Sequence, residues 1–482
     1  MKKRRIITIS AIIVAITGAL LVLNFIDTPE DDFIPFEPIE HIYILGDETG
    51  DFPAIFTVDV LNEFGSFTIY NTKTDTDAHN RFTLKGFEDF DLRNNRIAFI
   101  ANTARNLVAS DILFEEGTNL DELGLINPTA TVSITYLDGT SALLLIGDNA
   151  PGATFTYVKR DGDPSVYIIS FSTAEYFLHR DLDFIELSIT ETIESIPDIR
   201  RAVLGGSKRP EPIVIESVTP LGENDPLIFF THLITSPIQG RLDGFFGLEP
   251  LVHSYGLFAN NIEARLEHYD ELKLWGLDEP YSTLEILSTT NDSFKLIASA
   301  PGENGTVYII RDDLPIIYNV NINMLPWFDI TYFDMMDKLL IIPFVDTISL
   351  IELYLPNRDV KIRLEGEGQD LEIFVDDVLY TANESVDSVR NFRLLYQDIL
   401  NTRIDSIPEQ PMPQDAPVIL QFVYNYRDSS PSDTVTFFES TTARKVYVRL
   451  NDETPMYVLS SFVDHLLRSF DSFLVGERVV VF

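Results

Sequence analysis

Carboxylates are the most abundant reactive groups in this 482-residue chain, with 75 Asp and Glu against 35 Lys and Arg. Two clusters of them have a spacing that could hold a cation. "KTDTDAHN" places Asp75, Asp77, His79 and Asn80 at alternate or adjacent positions, and "FEDFDLRNN" supplies Glu88, Asp89 and Asp91. Asp-x-Asp spacing suits oxygen-ligand Ca²⁺ binding, but neither cluster has the glycine and terminal glutamate of a full calcium loop. The first is therefore expected to be a solvated hairpin loop. The second is expected to be a helix N-terminus, where carboxylates favour the dipole. Asp161-Gly162-Asp163 reads as a hairpin turn rather than a catalytic pair. The seven histidines, His41, His79, His179, His232, His253, His268 and His465, form no H-E-x-x-H or i,i+4 pair, so a zinc site would need distant parts. No G-x-S-x-G elbow, G-x-x-x-x-G-K-[ST] loop or G-x-G-x-x-G turn occurs, which excludes the ATPase of a transporter. "LGGSKRP", residues 204–210, is a basic spot that reads as a plain turn or a flexible contact loop. The expectation is a chain that is not an enzyme, with no catalytic, cofactor-binding or metal-binding residues.

The bulk composition narrows the partners. The formal charge is −40, and beyond the first five residues 31 basic side chains face 75 acidic ones, leaving −44. Such a surface repels nucleic-acid phosphates and anionic lipid headgroups alike. No nucleic acid is expected as a partner. A hydrophobic content of 45%, with 34 Phe and 19 Tyr, is ample for packed cores and excludes global disorder. The length suggests about three domains. The absence of cysteine removes disulfides, thiolate metal sites, cysteine nucleophiles and a lipid-anchoring cysteine.

At the N-terminus "MKKRR" precedes "IITISAIIVAITGALLVLNF", residues 6–25, which contains no charge. Twenty residues rising about 1.5 Å each make ~30 Å, the thickness of a hydrocarbon core. Lys2, Lys3, Arg4 and Arg5 lie before it, and Asp27, Glu30, Asp31 and Asp32 after it. The positive-inside rule keeps residues 1–5 in the cytoplasm as a basic tail and exports the rest. A cleaved signal peptide would have a shorter apolar region and an Ala-x-Ala-like site. An uncleaved single-pass anchor is the preferred reading. Residues 26–40, acidic and with three prolines, read as an extended, self-repelling stalk.

The elements that would position any chemistry are repeated. "NLDELGLINP" (119–128) and "ELKLWGLDEP" (271–280) both end in hydrophobic-Gly-Leu, two further residues and Pro. Each is followed by short β-branched and aromatic runs split by Asp/Gly/Asn turns, the pattern of a β-meander. A third such stretch follows Pro417, where "MPQDAP" stands in place of the Gly-Leu turn. Tyr157 and Tyr167, Tyr308 and Tyr318, and Tyr447 and Tyr457 are each ten residues apart around "DGD", "DDL" and "NDE". That spacing predicts opposed tyrosines across three hairpins, each pair contributing on the order of 0.2–1 kcal/mol. Upstream, residues 92–109, 248–266 and 388–404 carry apolar side chains at helical spacing, with Ile97, Ile100, Ala104 and Val108 on one stripe. Short amphipathic segments follow each meander. In the turns, Gly124 and Gly276 are expected at positive φ, Leu125 and Leu277 as the apolar back-contact, and Pro128 and Pro280 as helix stops.

These motifs, "LGLINP" and "WGLDEP" with "TVSITYLDGTSALLLIGD", "FTYVKRDGDPSVYIIS" and "GTVYIIRDDLPIIYNV", resemble those of the DUF4340 domain proteins, bacterial exported proteins of undefined biochemistry. The resemblance covers most of residues 90–345. It implies a membrane-anchored protein that accompanies an ABC-type export system related to gliding-motility transporters, on the outer side of the membrane. It carries over no catalytic residues.

The expected fold class is α+β: an N-terminal transmembrane helix followed by three tandem repeats of antiparallel β-meanders and hairpins with packed helices. The repeats would span residues 41–190, 191–345 and, in degenerate form, 346–482. The expected function is a membrane-anchored extracytoplasmic scaffold or accessory subunit, with an ABC transporter permease as partner. The alternative is a module binding envelope glycan or a small ligand through aromatic strands such as those of Tyr157 and Tyr308. An envelope hydrolase ranks below both.

Overall fold

The computed structural model describes residues 41–482, except 50–52, 74–81, 115–118, 196–197, 220–229, 290–292, 384–385 and 429. The basic tail, the apolar segment 6–25 and the stalk 26–40 lie outside the described residues, as do Asp75, Asp77, His79 and Asn80. Among the described residues no helix is long and apolar enough to cross a membrane.

Four antiparallel sheets dominate, and helices are few. The smallest pairs Ile42–Leu45 with Leu107–Ala109. The first large sheet runs from Phe82–Leu84 through Gly65–Asn71, Ile55–Asn62, Ala130–Tyr136, Ser141–Asn149, Phe155–Arg160 and Val166–Ser170 to Asp111–Phe114. The second runs from Gly240–Arg241 through His232–Ser236, Ile213–Ser217, Ile199–Gly205, Ser282–Ser288, Phe294–Ala298, Thr306–Arg311 and Ile316–Asn321 to Asn261–Arg265. The third runs from Val378–Leu379 through Glu372–Val375, Arg358–Glu365, Ile348–Leu355, Val418–Tyr426, Asp433–Phe438 and Lys445–Leu450 to Met456–Leu459. In each, the first strand of one meander pairs with the first strand of a second: Val58 with Ile134, Ala202 with Ile286, Ile351 with Tyr424. The first large sheet belongs to a compact unit ending at Phe184. The other two belong to a second unit, Ile185–Phe482.

The strands form because their side chains alternate. Ala130–Tyr136 buries Ala130, Val132, Ile134 and Tyr136, and Ser282–Ser288 buries Ser282, Leu284, Ile286 and Ser288. Among the described residues, three helices of three or more turns cover buried faces. Helix α1 (Asn94–Arg105) sets Ile97, Ile100 and Ala104 against strands Ile55–Asn62 and Phe82–Leu84. Helices α2 (Ser388–Leu400) and α3 (Ser460–Leu474) pack on each other and on the third large sheet.

Helix content is lower than the apolar spacing suggests. Of the helix expected over 248–266, only the turn Glu249–Val252 forms; Gly256 then takes φ 66°, and Asn261–Arg265 becomes an edge strand paired to Ile316–Asn321. Spacing alone does not separate one helical turn followed by a strand from a continuous helix, and the glycine at positive φ decides between them. Similarly, α1 stops at Arg105, and Val108 lies on the strand Leu107–Ala109, 36% exposed, off the helical stripe.

The Gly-Leu turns behave as their chemistry dictates. Gly124 and Gly276 have φ 68° and 65°. Leu125 N–H donates to Leu120 O and Gly124 N–H to Asp121 O; Leu277 N–H donates to Leu272 O and Gly276 N–H to Lys273 O. This is the paired six-to-one and five-to-two pattern of a Schellman cap. Leu125 and Leu277 are buried.

The tyrosine pairing holds only once. Tyr447 opposes Tyr457, with ring centroids 4.7 Å apart and a 3.0 Å bond between the hydroxyls. In the other two hairpins Tyr157 faces Ile168 and Tyr308 faces Asn319, so each tyrosine pair is out of register by one residue. The connecting turn there has an even rather than an odd number of residues. A one-residue slip moves a side chain to the opposite face of the sheet.

Candidate functional site

Of the carboxylate clusters, Glu88, Asp89 and Asp91 and the turn Asp161–Asp163 lie among the described residues. Glu88 sits in a turn, its Oε2 accepting from Gly86 N–H at 2.9 Å and its Oε1 from the Tyr70 hydroxyl at 3.1 Å. Helix α1 begins only at Asn94 and has no carboxylate in its first turn, so Glu88, Asp89 and Asp91 are not its N-terminus. Asp161 to Asp163 form the hairpin turn, with Gly162 at φ 80°. Asp163 accepts from Ser165 N–H and from the Tyr167 hydroxyl at 2.7 Å.

The described histidines stay apart. His232 is buried, with Nε2 2.7 Å from Ile199 O and Nδ1 2.8 Å from Thr231 Oγ1. His268 caps the 3₁₀ turn Tyr269–Trp275. His179 lies 3.9 Å from Asp183, and burial foremost lowers its pKa. His253 lies 3.8 Å from Glu249, and His41 meets Tyr43 edge-on. His465 approaches Asp398 at 3.2 Å, but Asp398 Oδ2 also accepts from Ser469 Oγ at 2.6 Å, and Oδ1 accepts from Phe482 N–H. The carboxylate stands between the serine and the histidine, so it joins α2, α3 and the C-terminal segment and does not activate a nucleophile. Among the described residues, no group of three or more His, Asp or Glu is placed to hold a metal ion.

The basic spot 204–210 is neither flexible nor exposed at its arginine. Arg209 is 8% exposed and donates through Nη2 to the carbonyls of Trp327 (2.8 Å), Phe328 (3.0 Å) and Ile330 (2.8 Å). Its Nε also reaches Ile330 O, and Nη1 reaches Ser282 Oγ. Burial lowers its pKa, yet a guanidinium stays charged, and the carbonyl dipoles take the place of water around it.

Among the cavities of the second unit are two with charged groups in their walls. One, of about 410 Å³, is walled in part by Tyr426, Arg427 and Asp433. Its polar groups are engaged: the Tyr426 hydroxyl donates to Asp433 at 2.6 Å, and Arg427 donates to the carbonyls of Ile348, Leu364 and Gly366. The other, of about 500 Å³, draws its walls from the second and third large sheets and their connections. Arg241 lines it, paired to Asp337 at 3.2 Å and donating to Leu339 O. Tyr332 is 6% exposed, and its hydroxyl has no hydrogen-bond partner among the described residues. Burial, then the charge of Glu453, pushes its pKa up to about 12, so the phenol is neutral at physiological pH. Glu453 lies at the rim; desolvation raises its pKa most, and Arg241 and Asp433 act on it in opposite senses. No motif announced this group, because Arg241, the stretch from Tyr332 to Asp337, and Glu453 lie far apart in the chain.

Tyr308, expected to offer an exposed aromatic face, packs instead beside the apolar cluster of Leu266, Leu277, Ile310 and Ile317, with Trp275 edge-on at 5.0 Å. Tyr157 is half-buried.

A family model described as Domain of unknown function (DUF4340) matches residues 83–204 and 257–417, more than half of the chain. Neither a curated protein nor a solved structure matches it.

Proposed function

Because this chain belongs to the DUF4340 family, we propose that it is a membrane-anchored extracytoplasmic scaffold or accessory subunit of an ABC-type export system, built from three tandem modules. The observation that carries the reading is an exposed aromatic pair. Phe245 and Phe246 are each 66% exposed, with rings edge-to-face at 5.1 Å. Their turn is braced: Asp243 Oδ1 accepts from both backbone N–H groups, at 2.9 and 2.8 Å, and Gly247 N–H donates to Asp243 O. Gly247 presses so close that an added Cβ would lie 2.4 Å from Met335 O. A rigid exposed aromatic pair on an otherwise acidic surface has the character of a contact hot spot, costing little entropy when a partner covers it.

The matching strand orders of the three large sheets, and two family matches, one from the strand Phe82–Leu84 into Ile199–Gly205 and one over residues 257–417, support the three-module reading. The charge-free segment 6–25 between basic and acidic flanks supports the anchor and its orientation. The experiment is gentle detergent purification of the full chain, with mass-spectrometric search for an ABC-type permease. Co-purification that the Phe245→Ser/Phe246→Ser double variant abolishes, with unchanged circular dichroism, is the expected result. A full chain that emerges without a permease, or a double variant that retains it at the original level, refutes the proposal.

A further inference from the structure

The one hairpin that brings its tyrosines into register does more than stack them. Strands Lys445–Leu450 and Met456–Leu459 place Tyr447 directly opposite Tyr457. The ring centroids lie 4.7 Å apart at an interplanar angle of 27°, and Tyr457 Oη donates to Tyr447 Oη at 3.0 Å. Since the oxygens are closer than the ring centres, the two rings converge toward their hydroxyl ends. The carbons that bear the hydroxyls are drawn together, and the ortho carbons beside them are neighbours across the pair. Phe438, Met412 and Ala416 pack around these rings and hold them. The backbone is fixed as well: Tyr457 N–H donates to Ser406 O, and Asp405 N–H donates to Tyr457 O. Both tyrosines are buried, yet Thr442, an exposed residue, places its Oγ1 2.9 Å from Tyr457 Oη. An oxidant that takes an electron at the surface therefore has only one layer of side chain to work across.

We propose that Tyr447 and Tyr457 are a modification site, joined by one-electron oxidation into an intrachain dityrosine that staples this hairpin in a chain without cysteine. Each phenol gives one electron to a one-electron oxidant and its hydroxyl proton to solvent. The two phenoxyl radicals then pair their odd electrons in a new bond between ortho carbons. Each bonded carbon sheds its hydrogen as a proton while its oxygen takes one back, and the rings regain aromaticity. The net loss is two electrons and two protons. The Lys445 ammonium, 5.3 Å from the Tyr457 ring centre, does not oppose this, because a phenoxyl formed with loss of its proton is neutral. Lys445 is in any case paired to Asp405 at 3.0 Å. Covalent closure restricts the unfolded hairpin as a disulfide would. The site is independent of the Phe245–Phe246 contact.

The other two hairpins are internal controls. Tyr157 and Tyr167, and Tyr308 and Tyr318, have the same spacing in the chain but are out of register by one residue, which sets their rings on opposite faces. The test illuminates the dilute, detergent-solubilised full chain with tris(bipyridyl)ruthenium(II) and persulfate until tyrosine is measurably consumed. The ruthenium(III) so formed is the one-electron oxidant, and as a cation it is drawn to this acidic surface. Trypsin cuts between the members of every pair, after Arg160, Arg311 and Arg449, so a cross-link appears as two joined peptides lighter by two hydrogens. The expected product is residues 446–449 joined to 450–468 in the monomer, exceeding either control pair by about tenfold or more. Concentrated urea keeps the spacing, destroys the register and removes that preference. Tyr447→Phe, which leaves Tyr457 without a phenol to couple, yields no such product. Equal coupling of the three pairs in the folded chain overturns the proposal. So does a preference that survives urea, a joined product found only in dimers, or tyrosine consumption with no 447–457 product.

Discussion

Replacing Arg209 by methionine tests whether the buried guanidinium is a structural tie. The variant keeps a long apolar stem and deletes every donor. Trp327 O and Ile330 O then lose the Arg209 bonds, of 2.8 Å each to Nη2, while Phe328 O still accepts from Ser282 Oγ at 3.0 Å. Two orphaned carbonyls at about 1–3 kcal/mol each, less the desolvation cost that the missing charge no longer incurs, leave a loss of about 3 kcal/mol. For the unit Ile185–Phe482 that corresponds to roughly 5 °C in melting temperature. The control is Arg201→Met, which removes an exposed pair with Glu216 at 3.5 Å and costs under about 0.5 kcal/mol. Arg209→Lys keeps the charge but not the planar fork, and falls between the two. Thermal melts followed by circular dichroism, with hydrogen exchange over residues 325–332, read the outcome. A loss for Arg209→Met below about 1 kcal/mol, or no larger than for Arg201→Met, refutes the reasoning.

The two turn glycines differ in what surrounds them. Gly276→Ala meets only Ser299 Cβ at 3.8 Å and costs the left-handed strain alone, about 1 kcal/mol, whereas Gly124→Ala brings a Cβ within 2.5 Å of Asp148 Cγ and 2.8 Å of its backbone nitrogen. Denaturant midpoints should place Gly124→Ala lower by a further ~1–3 kcal/mol, and equal losses would contradict the close contact. Asp313 has a lowered pKa, chiefly through its side-chain bonds from Arg311 at 2.5 and 2.6 Å. A carboxylate depressed on folding stabilises above its unfolded pKa, near 4, and that contribution is lost as pH falls through the folded value. Asp313→Asn should therefore cost about 0.5 kcal/mol at pH 7 and progressively less as pH falls below about 4, in melts across that range; a pH-independent difference would remove the ion pair as its cause. Asp398→Ala leaves Ser469 Oγ and Phe482 N–H without their acceptor, and should cost about 2–4 kcal/mol and unprotect the Phe482 amide to hydrogen exchange. Retained protection there would mean that the carboxylate does not hold the C-terminal segment.

Local chemistry was legible in the chain and distant chemistry was not. The Gly-Leu turns could be assigned from ten residues because a Schellman cap closes its bonds within six positions, from Leu120 to Leu125 and from Leu272 to Leu277. Alternation in stretches such as "TVSITY" marked strands for the same reason: a pleat repeats every two residues. The helix expected over 248–266 failed where a single turn and an edge strand share apolar spacing; Gly256 at positive φ and the pairing with Ile316–Asn321 separate them. The tyrosine registers failed by one residue because the size of a turn, not the spacing of the rings, sets which residues oppose.

By itself, then, the sequence determined the acidic surface, the turns, the meanders and the charge-free N-terminal segment, all properties of neighbours along the chain. Tertiary structure alone decided the rest. Arg209 in a basic loop meets carbonyls 118 to 121 positions away, and its role is invisible until the second large sheet closes over it. Tyr332, Arg241 and Glu453 line one cavity only because two sheets bring their segments together. Hydrogen bonds and desolvation depend on distance in space, and no periodicity in the chain encodes that.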